Sequence, residues 1–359
     1  MVVSITRKIL IVADYLPKVD SAGDRAIPIS VIIFCFNRRQ FLKDALLSVI
    51  NQTFPREKYE IIVTKNFNDV EIDSMSKQHG VRCLLEGNVD IGEMIANASL
   101  VARGKYICFL DDDDKFQPNK LMRVYSEITK NPRILYYHNA FSAIDDRGNV
   151  LNDNGHMQPD KPLLLNSTNQ ERRVRISKHF SGDINTSSIV LKRDLIIEYI
   201  DYIRGISGLQ DVFLFYLSAM SKGDIFLDSE ILTDYRIHTS ESHGDLEMPE
   251  KFSAGMMSVL EKYLKSYSIL YSMSSAVSGY IRYEYVTNKC RIKLISNSKY
   301  GFVSFRDLLF VLAHPEYSQI YMRELYLVIF SILQRIAPDK INKFYITRKM
   351  KLEQKRYTK

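Results

Sequence analysis

The chain has 359 residues, of which 46% are apolar and 25% are charged, and its formal net charge is +7. This composition is ordinary for a globular protein, and the length suffices for two domains or for one large domain with an appendage. No run approaches the roughly 20 apolar residues of a membrane-spanning helix, and the four cysteines show neither CxxC pairs nor metal-ligand spacing. We therefore expect no integral membrane segment, no disulfide framework and a reducing compartment.

The first 27 residues read as an N-terminal extension. The β-rich run Ile9–Ala13 is too short for a signal-peptide core and ends at Asp14. We expect this extension, residues 1–27, to add one strand at the edge of a sheet or to have no role.

From Ile29 onward, short β-rich runs alternate with helical stretches. Ile29–Phe34 is a continuous apolar run, which predicts a strand covered on both faces. Arg38–Asn51 carries a helical apolar stripe, and Pro118 opens a helix that ends at Asn131. This rhythm predicts an α/β fold with a mostly parallel central sheet and helices on both faces, in which ligands bind beyond the carboxyl ends of the strands. The further predicted strands of this part are Tyr59–Val63, Val81–Leu85 and Tyr106–Leu110.

The next hundred or so residues, up to about residue 245, predict two more strands, at Leu135–Ile144 and Ile184–Leu191. The polar segment Asp145–Ser181 between them is expected to be a loop near an acceptor site. Gln210–Ser221 predicts a buried helix and Asp224–His238 a strand followed by a loop. Beyond residue 245 the strand–helix alternation stops, so we predict a catalytic domain over 28–245 and a helical region over 246–359.

Four consecutive carboxylates, Asp111–Asp114, directly follow the buried strand Tyr106–Leu110. They repel one another and offer no apolar surface, so folding alone gives little reason for them. Carboxylate oxygens at a strand end suit Mg²⁺ or Mn²⁺, which commonly bridge one or two carboxylates to substrate phosphates. The alternative is an acidic turn that caps the following helix.

Three stretches together resemble the family 2 glycosyltransferases of GT-A fold, over about residues 28–245. The resemblance implies an inverting, metal-assisted sugar transfer from a nucleotide-sugar donor. Ile29–Phe54 is similar to the family's opening strand, Asn-Arg turn and helix. Ala102–Leu121 is similar to the strand that leads into the family's DxD motif. The family's acceptor-side motifs are similar to Thr186–Ser188, Leu209–Asp211 and Tyr235–His238.

The resemblance assigns the metal site and the base. Asp111 and Asp113 form the DxD motif that holds a divalent ion (Mn²⁺ or Mg²⁺) on the donor diphosphate, and His238 matches a histidine that often joins the metal shell. A histidine hydrogen-bonded within a loop is the alternative for His238. Asp211 matches the catalytic base, with Gln210 in the position of a glutamate. We expect the dipole of the helix that starts there to keep Asp211 ionised, although an Asp is also common in a first turn for stability alone.

The remaining site residues follow from the same resemblance. The predicted acceptor side contains Gln210 and two residues at the start of the predicted strand Ile184–Leu191. The predicted donor and nucleotide side contains residues at or after the ends of the first, second and fourth strands. They are Asn185 and Thr186 on the acceptor side, and Phe34, Phe36, Asn37, Arg38, Lys65, Asp111 and Asp112 on the donor side.

Two departures from the family pattern leave the nucleotide base open. The acidic pair usual after the second strand is replaced by Val63–Phe67, with Asp69 displaced downstream. The segment Gly87–Val101 contains no Arg or Lys near the diphosphate, so Lys65 is the candidate for the missing positive charge. The extension residues Lys8–Arg25 resemble instead the opening strand and loop of the GT-B architecture.

All of the net charge resides in the last 25 residues. Arg335–Lys359 contains nine Lys or Arg and two acidic residues, which gives +7. We predict three helices in this region, at Ser304–Ala313, Glu324–Ala337 and Ile341–Lys359, the last being basic and amphipathic. Such a helix binds anionic membrane surfaces. We therefore expect a cytoplasmic protein held peripherally at the inner face of the cell membrane, with a glycan or lipid-linked acceptor. The alternative is packing of the apolar helices on the catalytic domain or on a second subunit, with a solvated tail.

Two rival functions remain. A nucleotidyltransferase also uses an acidic strand end, but it usually needs a Gly-rich loop, and Phe34–Arg39 contains no glycine. A catalytically inactive relative that acts as a membrane-associated assembly partner is the non-enzyme alternative. A nucleic-acid partner is not expected, because no recognition module accompanies the basic tail.

Overall fold

The computed structural model describes residues 27–151, 156–238, 248–273, 275–296, 303–318 and 321–357. The expected strand of the N-terminal extension falls within residues 1–26 and so lies outside the described residues. No helix of the described residues is long and apolar enough to cross a membrane.

One mixed sheet forms the centre of the fold. Its order is β3-β2-β1-β4-β8-β6-β9-β5, with β7 pairing with β9. The pairs β1–β2, β2–β3, β1–β4 and β6–β9 are parallel, and β8 runs antiparallel between β4 and β6. The strands are β1 (Ile29–Cys35), β2 (Tyr59–Lys65), β3 (Arg82–Leu85), β4 (Tyr106–Asp111), β5 (Lys115–Phe116), β6 (Ile134–Ile144), β7 (Leu163–Leu165), β8 (Ile189–Lys192) and β9 (Asp224–Arg236).

Helices cover both faces of the sheet, because side chains along a strand alternate between them. On β1, Val31 and Ile33 face a core shared with α1 and α4, whereas Ile32 and Phe34 face a second core shared with α3 and α8. The predicted α/β architecture is confirmed. The helices of this part are α1 (Leu42–Ile50), α2 (Val70–Gln78), α3 (Ile91–Val101), α4 (Lys120–Lys130), α5 (Gln170–His179), α6 (Arg193–Glu198), α7 (Ile200–Arg204) and α8 (Gln210–Met220).

A helical region follows the sheet. Its first two helices pack on the sheet domain, because Tyr267, Leu270 and Ile281 join the core that contains Phe213. The same two helices and the later ones enclose a further core around Tyr283, Val286 and Val311. The helices are α9 (Pro249–Ser272), α10 (Ser278–Ser296), α11 (Phe305–Ala313), α12 (Tyr321–Leu333) and α13 (Pro338–Tyr357).

Two expectations for the middle of the chain are wrong. The segment Asp145–Ser181 is not only loop, since it contains β7 and α5. Helix α5 has few apolar residues, and its position is fixed by the buried guanidinium of Arg173, which donates to the carbonyls of Ala219 and Gly223. The strand predicted from Ile184 begins only at Ile189, because a short 3-10 turn occupies Thr186–Ser188.

The apolar residues of the basic helix α13 differ in their burial. On α13, Tyr345 and Met350 are buried, whereas Phe344 and Leu352 are about half exposed. The apolar residues of this helix therefore divide between packing against the helical region and facing outward.

Candidate active site

The candidate site lies where β1 and β4 end side by side. Phe34 of β1 stands opposite Asp111 of β4 in parallel register, so the residues that follow them leave the sheet at the same edge. The end of β9 reaches this place too, and it carries Arg236 and His238 to the acidic segment. The sheet thus brings together three segments that are far apart in the sequence.

Arg38 pairs with the acidic segment. Its guanidinium contacts both carboxylate oxygens of Asp112, with Nε 3.3 Å from Oδ2, and lies 2.7 Å from Oδ2 of Asp113. Asp112 is buried and also accepts from the thiol of Cys35 at 3.1 Å. Burial nevertheless raises the pKa of Asp112 on balance, against the lowering effect of the Arg38 hydrogen bond. The thiol of Cys35 is a site contact that the sequence reading missed.

Asp113 and His238 form a pair of possible metal ligands. His238 Nε2 lies 2.9 Å from Asp113 Oδ2 and 3.0 Å from a terminal nitrogen of Arg38. Burial raises the pKa of Asp113, but the His238 hydrogen bond and the charge of Arg38 outweigh it and lower that pKa on balance. The carboxylate is therefore held in its ionised form.

This pair is closed by a hydrogen bond in the structure. The 2.9 Å between His238 Nε2 and Asp113 Oδ2 is a hydrogen-bond distance, so a divalent ion would have to replace this hydrogen bond. Within the described residues no three His, Cys, Asp or Glu side chains converge as a metal-binding group. Asp113 and His238 would therefore supply two ligand atoms, and the partly exposed Asp111 is not assembled with them as a third. Mg²⁺ sites in proteins typically take their remaining ligands from substrate phosphates and water.

The other two carboxylates of the segment are electrostatically strained. Burial, and then the neighbouring carboxylates led by Asp113, raise the pKa values of Asp111 and Asp114 well above their ordinary range. Asp114 accepts a hydrogen bond from the backbone N–H of Arg236 at 2.8 Å. The segment gains little stability from this arrangement, since buried charges are costly unless they are well paired.

Arg236 braces the acidic segment, a role that the sequence reading did not assign. Its side chain is buried, and Nε donates to the backbone carbonyl of Asp113 at 2.7 Å. A terminal nitrogen donates to the carbonyls of Asp145 and Asp146, and the guanidinium stacks 4.3 Å from the ring centroid of Phe41. In the sequence, the only indication of this role is that Arg236 lies two residues before His238.

Asp211 lies in the first turn of α8 and faces the loop of residues 181–188, which we call the acceptor loop because the predicted acceptor-side residues Asn185 and Thr186 lie in it. Its Oδ2 accepts from the backbone N–H of Asn185 at 3.1 Å, and its Oδ1 accepts from the N–H of Val212 at 2.8 Å. Burial, with a contribution from the carboxylate of Asp183, raises the pKa of Asp211 to about 6. Loss of water at Asp211 therefore outweighs the N–H donors of the helix start, which by themselves would lower its pKa. The carboxylate is still ionised at pH 7, and its pKa is close to that of an efficient general base.

Two side chains of β6 hold the acceptor loop through hydrogen bonds to its backbone. The Tyr136 hydroxyl donates to the carbonyl of Gly182 at 2.7 Å, and His138 Nε2 lies 2.7 Å from the carbonyl of Ile184. Burial lowers the pKa of His138 to about 4, so a neutral imidazole donates there. Ser181, Asn185 and Leu209 all adopt positive φ, of 53°, 68° and 62°, and such backbone strain in residues other than glycine concentrates at functional sites.

A buried ion cluster ties this loop to the helical region. Lys178 Nζ lies 3.1 Å from Asp183 Oδ2 and 2.7 Å from Glu284 Oε1. Burial lowers the pKa of Lys178, but the two carboxylates outweigh it and raise that pKa well above its usual range. Glu284 belongs to α10, so the helical region contributes directly to holding the loop beside Asp211. Sequence spacing gave no sign of this cluster.

The other predicted site residues divide into exposed and packed groups. Phe36 is 43% exposed, and Asn37, with φ of 57°, exchanges hydrogen bonds with Asn66. Phe34 is buried and stacks on Phe109. Lys65 is 2% exposed on its side chain, and its amino group lies 2.9 Å from Asp73 Oδ1 and 2.9 Å from the carbonyl of Phe67. The structure thus brings Arg38, and not Lys65, to the acidic segment.

On the acceptor side, Asn185 and Thr186 are buried, and Gln210 is partly exposed beside Asp211. Asn185 Oδ1 accepts from the N–H of Ser187, whose hydroxyl accepts in turn from the N–H of Asp111 at 3.0 Å. A short hydrogen-bonded path therefore connects the loop beside Asp211 to the end of β4.

Curated relatives share part of this chain. It is 24% identical over 220 residues to an uncharacterized glycosyltransferase of Rickettsia conorii, a match that covers 59% of this chain and 34% of the relative. It is 33% identical over 110 residues to a poly(ribitol-phosphate) beta-glucosyltransferase of Bacillus spizizenii, with 29% and 17% covered. The chain thus spans about a third or less of the length of these curated relatives.

Solved structures share the fold over most of the chain. S. aureus TarS 1–349, solved in complex with UDP-GlcNAc, matches with a TM-score of 0.51 at 14% identity, covering 85% of this chain and 89% of that one. GalNAc-T7, solved with UDP, GalNAc and Mn²⁺, matches with a TM-score of 0.53 at 17% identity, covering 86% and 58%. The model of glycosyl transferase family 2 matches residues 30–199, which include the acidic segment and the acceptor loop. Just under half of the chain therefore matches the family 2 glycosyltransferases, and the chain shares the GT-A-like fold of these solved structures.

Proposed function

We propose that this chain transfers a sugar from a nucleotide-sugar donor to a hydroxyl group of a glycan or lipid-linked acceptor, with inversion at the sugar and with the help of a divalent ion. One observation carries the proposal. The acidic strand end and Asp211 come from different elements but lie close enough that Asp211 contributes to raising the pKa of Asp111. A base that lies close to an acidic segment able to hold a metal ion is what an inverting transfer needs.

The groups of the site have different roles in this reaction. Asp113 and His238 would hold the ion against the donor diphosphate, and the ion would neutralise the charge that develops on the leaving phosphate. Arg38 orients Asp112 and Asp113 and adds a fixed positive charge on the same side. Asp211 accepts the proton of the acceptor hydroxyl, and the N–H of Asn185 keeps its carboxylate aimed while it does so.

The donor proposed first is a UDP-sugar. UDP-GlcNAc is bound in the TarS structure and UDP in the GalNAc-T7 structure. In this chain Phe36 is the exposed aromatic side chain at the strand ends, so we assign it to stacking on the nucleotide base. We also propose that the enzyme works at the inner face of the cell membrane, because the basic last segment would hold it near a lipid-linked acceptor.

The test is calorimetric titration of the purified chain with UDP, GDP and dTDP, with and without Mn²⁺. We expect UDP to bind more tightly with Mn²⁺, and we expect Asp113→Asn to remove that dependence on metal. Asp211→Asn should bind UDP and Mn²⁺ as the wild type does but lose transfer. Failure of all three nucleotides to bind under any condition would contradict the donor site and favour an inactive relative.

A further inference from the structure

Helix α12 presents an apolar row to solvent. Met322, Tyr326, Ile329 and Leu333 follow one another at spacings of four, three and four residues, and Ile336 continues the row in the next turn. Residues at this spacing share one side of a helix. All five side chains are between 40% and 79% exposed. We refer to these five residues as the α12 face.

The buried side of α12 is partly polar. Glu324, Ser331 and Gln334 are each at most 5% exposed, and the apolar Leu327 and Val328 are buried beside them. Gln334 donates to the carbonyl of Lys293 on α10 at 2.7 Å, and Glu324 lies 3.6 Å from Arg291. The inner side of the helix therefore mixes polar and apolar side chains, while its outer side carries the apolar row. A surface helix ordinarily turns its apolar side chains inward, so an apolar outer side suits a helix that meets an apolar medium.

A basic and an aromatic side chain of α13 border α12. The Arg348 guanidinium lies 5.2 Å from the ring centroid of Tyr326, and the rings of Phe330 and Phe344 lie 5.5 Å apart. Phe344, Arg348 and Leu352 share one side of α13 at spacings of four residues, and all three are exposed. Phe344, Leu352 and the cation Arg348 thus enlarge the exposed surface next to the α12 face.

The positive charge of α13 indicates what kind of partner binds this surface. Helix α13 carries seven Lys or Arg and two acidic residues. A symmetric dimer through the α12 face would place two copies of this basic helix near each other, and like charges at an interface disfavour association. Anionic lipid phosphates complement the same charge. We propose that the α12 face inserts into the surface of an anionic bilayer, with the basic side chains of α13 on the lipid phosphates.

The basic side chains and the apolar side chains contribute to membrane binding in ways that respond differently to salt. Each Lys or Arg at an anionic surface increases binding by about fivefold, and this gain is screened as the salt concentration rises. Insertion of the apolar side chains is not screened. Loss of two exposed isoleucines should therefore weaken binding by at least about tenfold, at low and at high salt alike.

The experiment compares the full chain with two double variants in vesicle co-sedimentation. The test variant is Ile329→Ser with Ile336→Ser, and the control is Val70→Ser with Ile231→Ser, which removes apolar side chains that are also exposed but lie on other elements. The vesicles are phosphatidylglycerol mixed with phosphatidylcholine, or phosphatidylcholine alone. Circular dichroism checks that the variants fold.

We expect the wild type and the control to bind the phosphatidylglycerol vesicles, and the test variant to bind at least about tenfold more weakly. Equal binding by the test variant, no binding by the wild type, or an equal loss in the control would overturn the proposal. A dimer of the wild type that the test variant converts to a monomer in sedimentation velocity would also overturn it, since a second copy would then cover the face. The readout uses no sugar donor, and UDP binding of the test variant by calorimetry separates this proposal from that of the catalytic function.

Discussion

Replacing Asp211 with Asn separates the catalytic value of this carboxylate from its cost to folding. Burial raises its pKa from an ordinary value of 3.8 to about 6. Between pH 3.8 and about pH 6 the folded protein still holds a proton on Asp211 that the unfolded chain has released. The protonated form favours folding, so the folded protein loses stability as the pH rises through this range. The shift of about two units corresponds to about 3 kcal/mol, and the full cost is present at pH 7.

The substitution removes this cost and one hydrogen bond. Asp211 accepts from two backbone N–H groups, of Asn185 and Val212, and the single oxygen of Asn can accept from only one of them. A lost hydrogen bond costs about 1 kcal/mol. We therefore expect Asp211→Asn to be about 2 kcal/mol more stable than the wild type at pH 7, and about 1 kcal/mol less stable below a pH of about 4. Transfer should fall by about 10²–10⁴-fold, as removal of a general base usually causes.

Urea denaturation of both proteins at several pH values measures the difference directly. Asp201→Asn, at an exposed carboxylate of α7, is the control for effects of urea and pH on a surface position. A difference in unfolding free energy between wild type and Asp211→Asn that stays constant from pH 4 to pH 7 would refute the raised pKa. Retained transfer by this variant would refute the assignment of the base.

Three further predictions concern the metal ligand, a close backbone contact and the buried ion cluster. Asp113→Asn should lose the Mn²⁺-dependent part of UDP binding and keep the rest, which titration with and without Mn²⁺ measures; an unchanged response to metal would remove Asp113 from the ligand set. A Cβ on Gly92 would lie 2.0 Å and 2.7 Å from two backbone carbonyl oxygens, whereas one on Gly87 meets nothing within 4 Å, so Gly92→Ala should lose roughly 1–3 kcal/mol in urea denaturation and Gly87→Ala should not. Lys178→Met leaves two buried carboxylates without their counter-charge and should cost about 3–5 kcal/mol at pH 7. This cost should shrink at pH 5, because the stranded carboxylates then bind protons; a loss independent of pH would contradict the charge explanation.

The sheet and its strand ends were predictable from the sequence because their signals are local. The apolar runs Ile29–Phe34 and Tyr106–Leu110 became β1 and β4, and the acidic segment came out at the predicted edge of the sheet. Helix α5 escaped prediction because its position depends on one buried arginine, Arg173, whose partners lie more than 40 residues away. Hydrophobic periodicity carries no trace of such an anchor.

The electrostatics of the site were not predictable for a related reason. Arg38 and Asp112 are 74 residues apart in the sequence, and Lys178 and Glu284 are 106 apart. The sign of the pKa shift at Asp211 depends on how much water the folded chain removes, which no spacing rule gives. The resemblance to a known family selected the candidate carboxylates, but only the fold determines which cation faces which carboxylate.

The concentration of raised carboxyl pKa values at this edge of the sheet is itself an argument for function. Burial raises the pKa values of Asp111, Asp112, Asp114 and Asp211, so each of these groups costs stability when it is ionised. Their hydrogen bonds and the pairing with Arg38 offset only part of this cost, because buried charges rarely repay their loss of water in full. A cation brought with a diphosphate would lower the pKa values of Asp111, Asp112 and Asp114, and part of the stability lost in the free protein would then return as affinity for the donor.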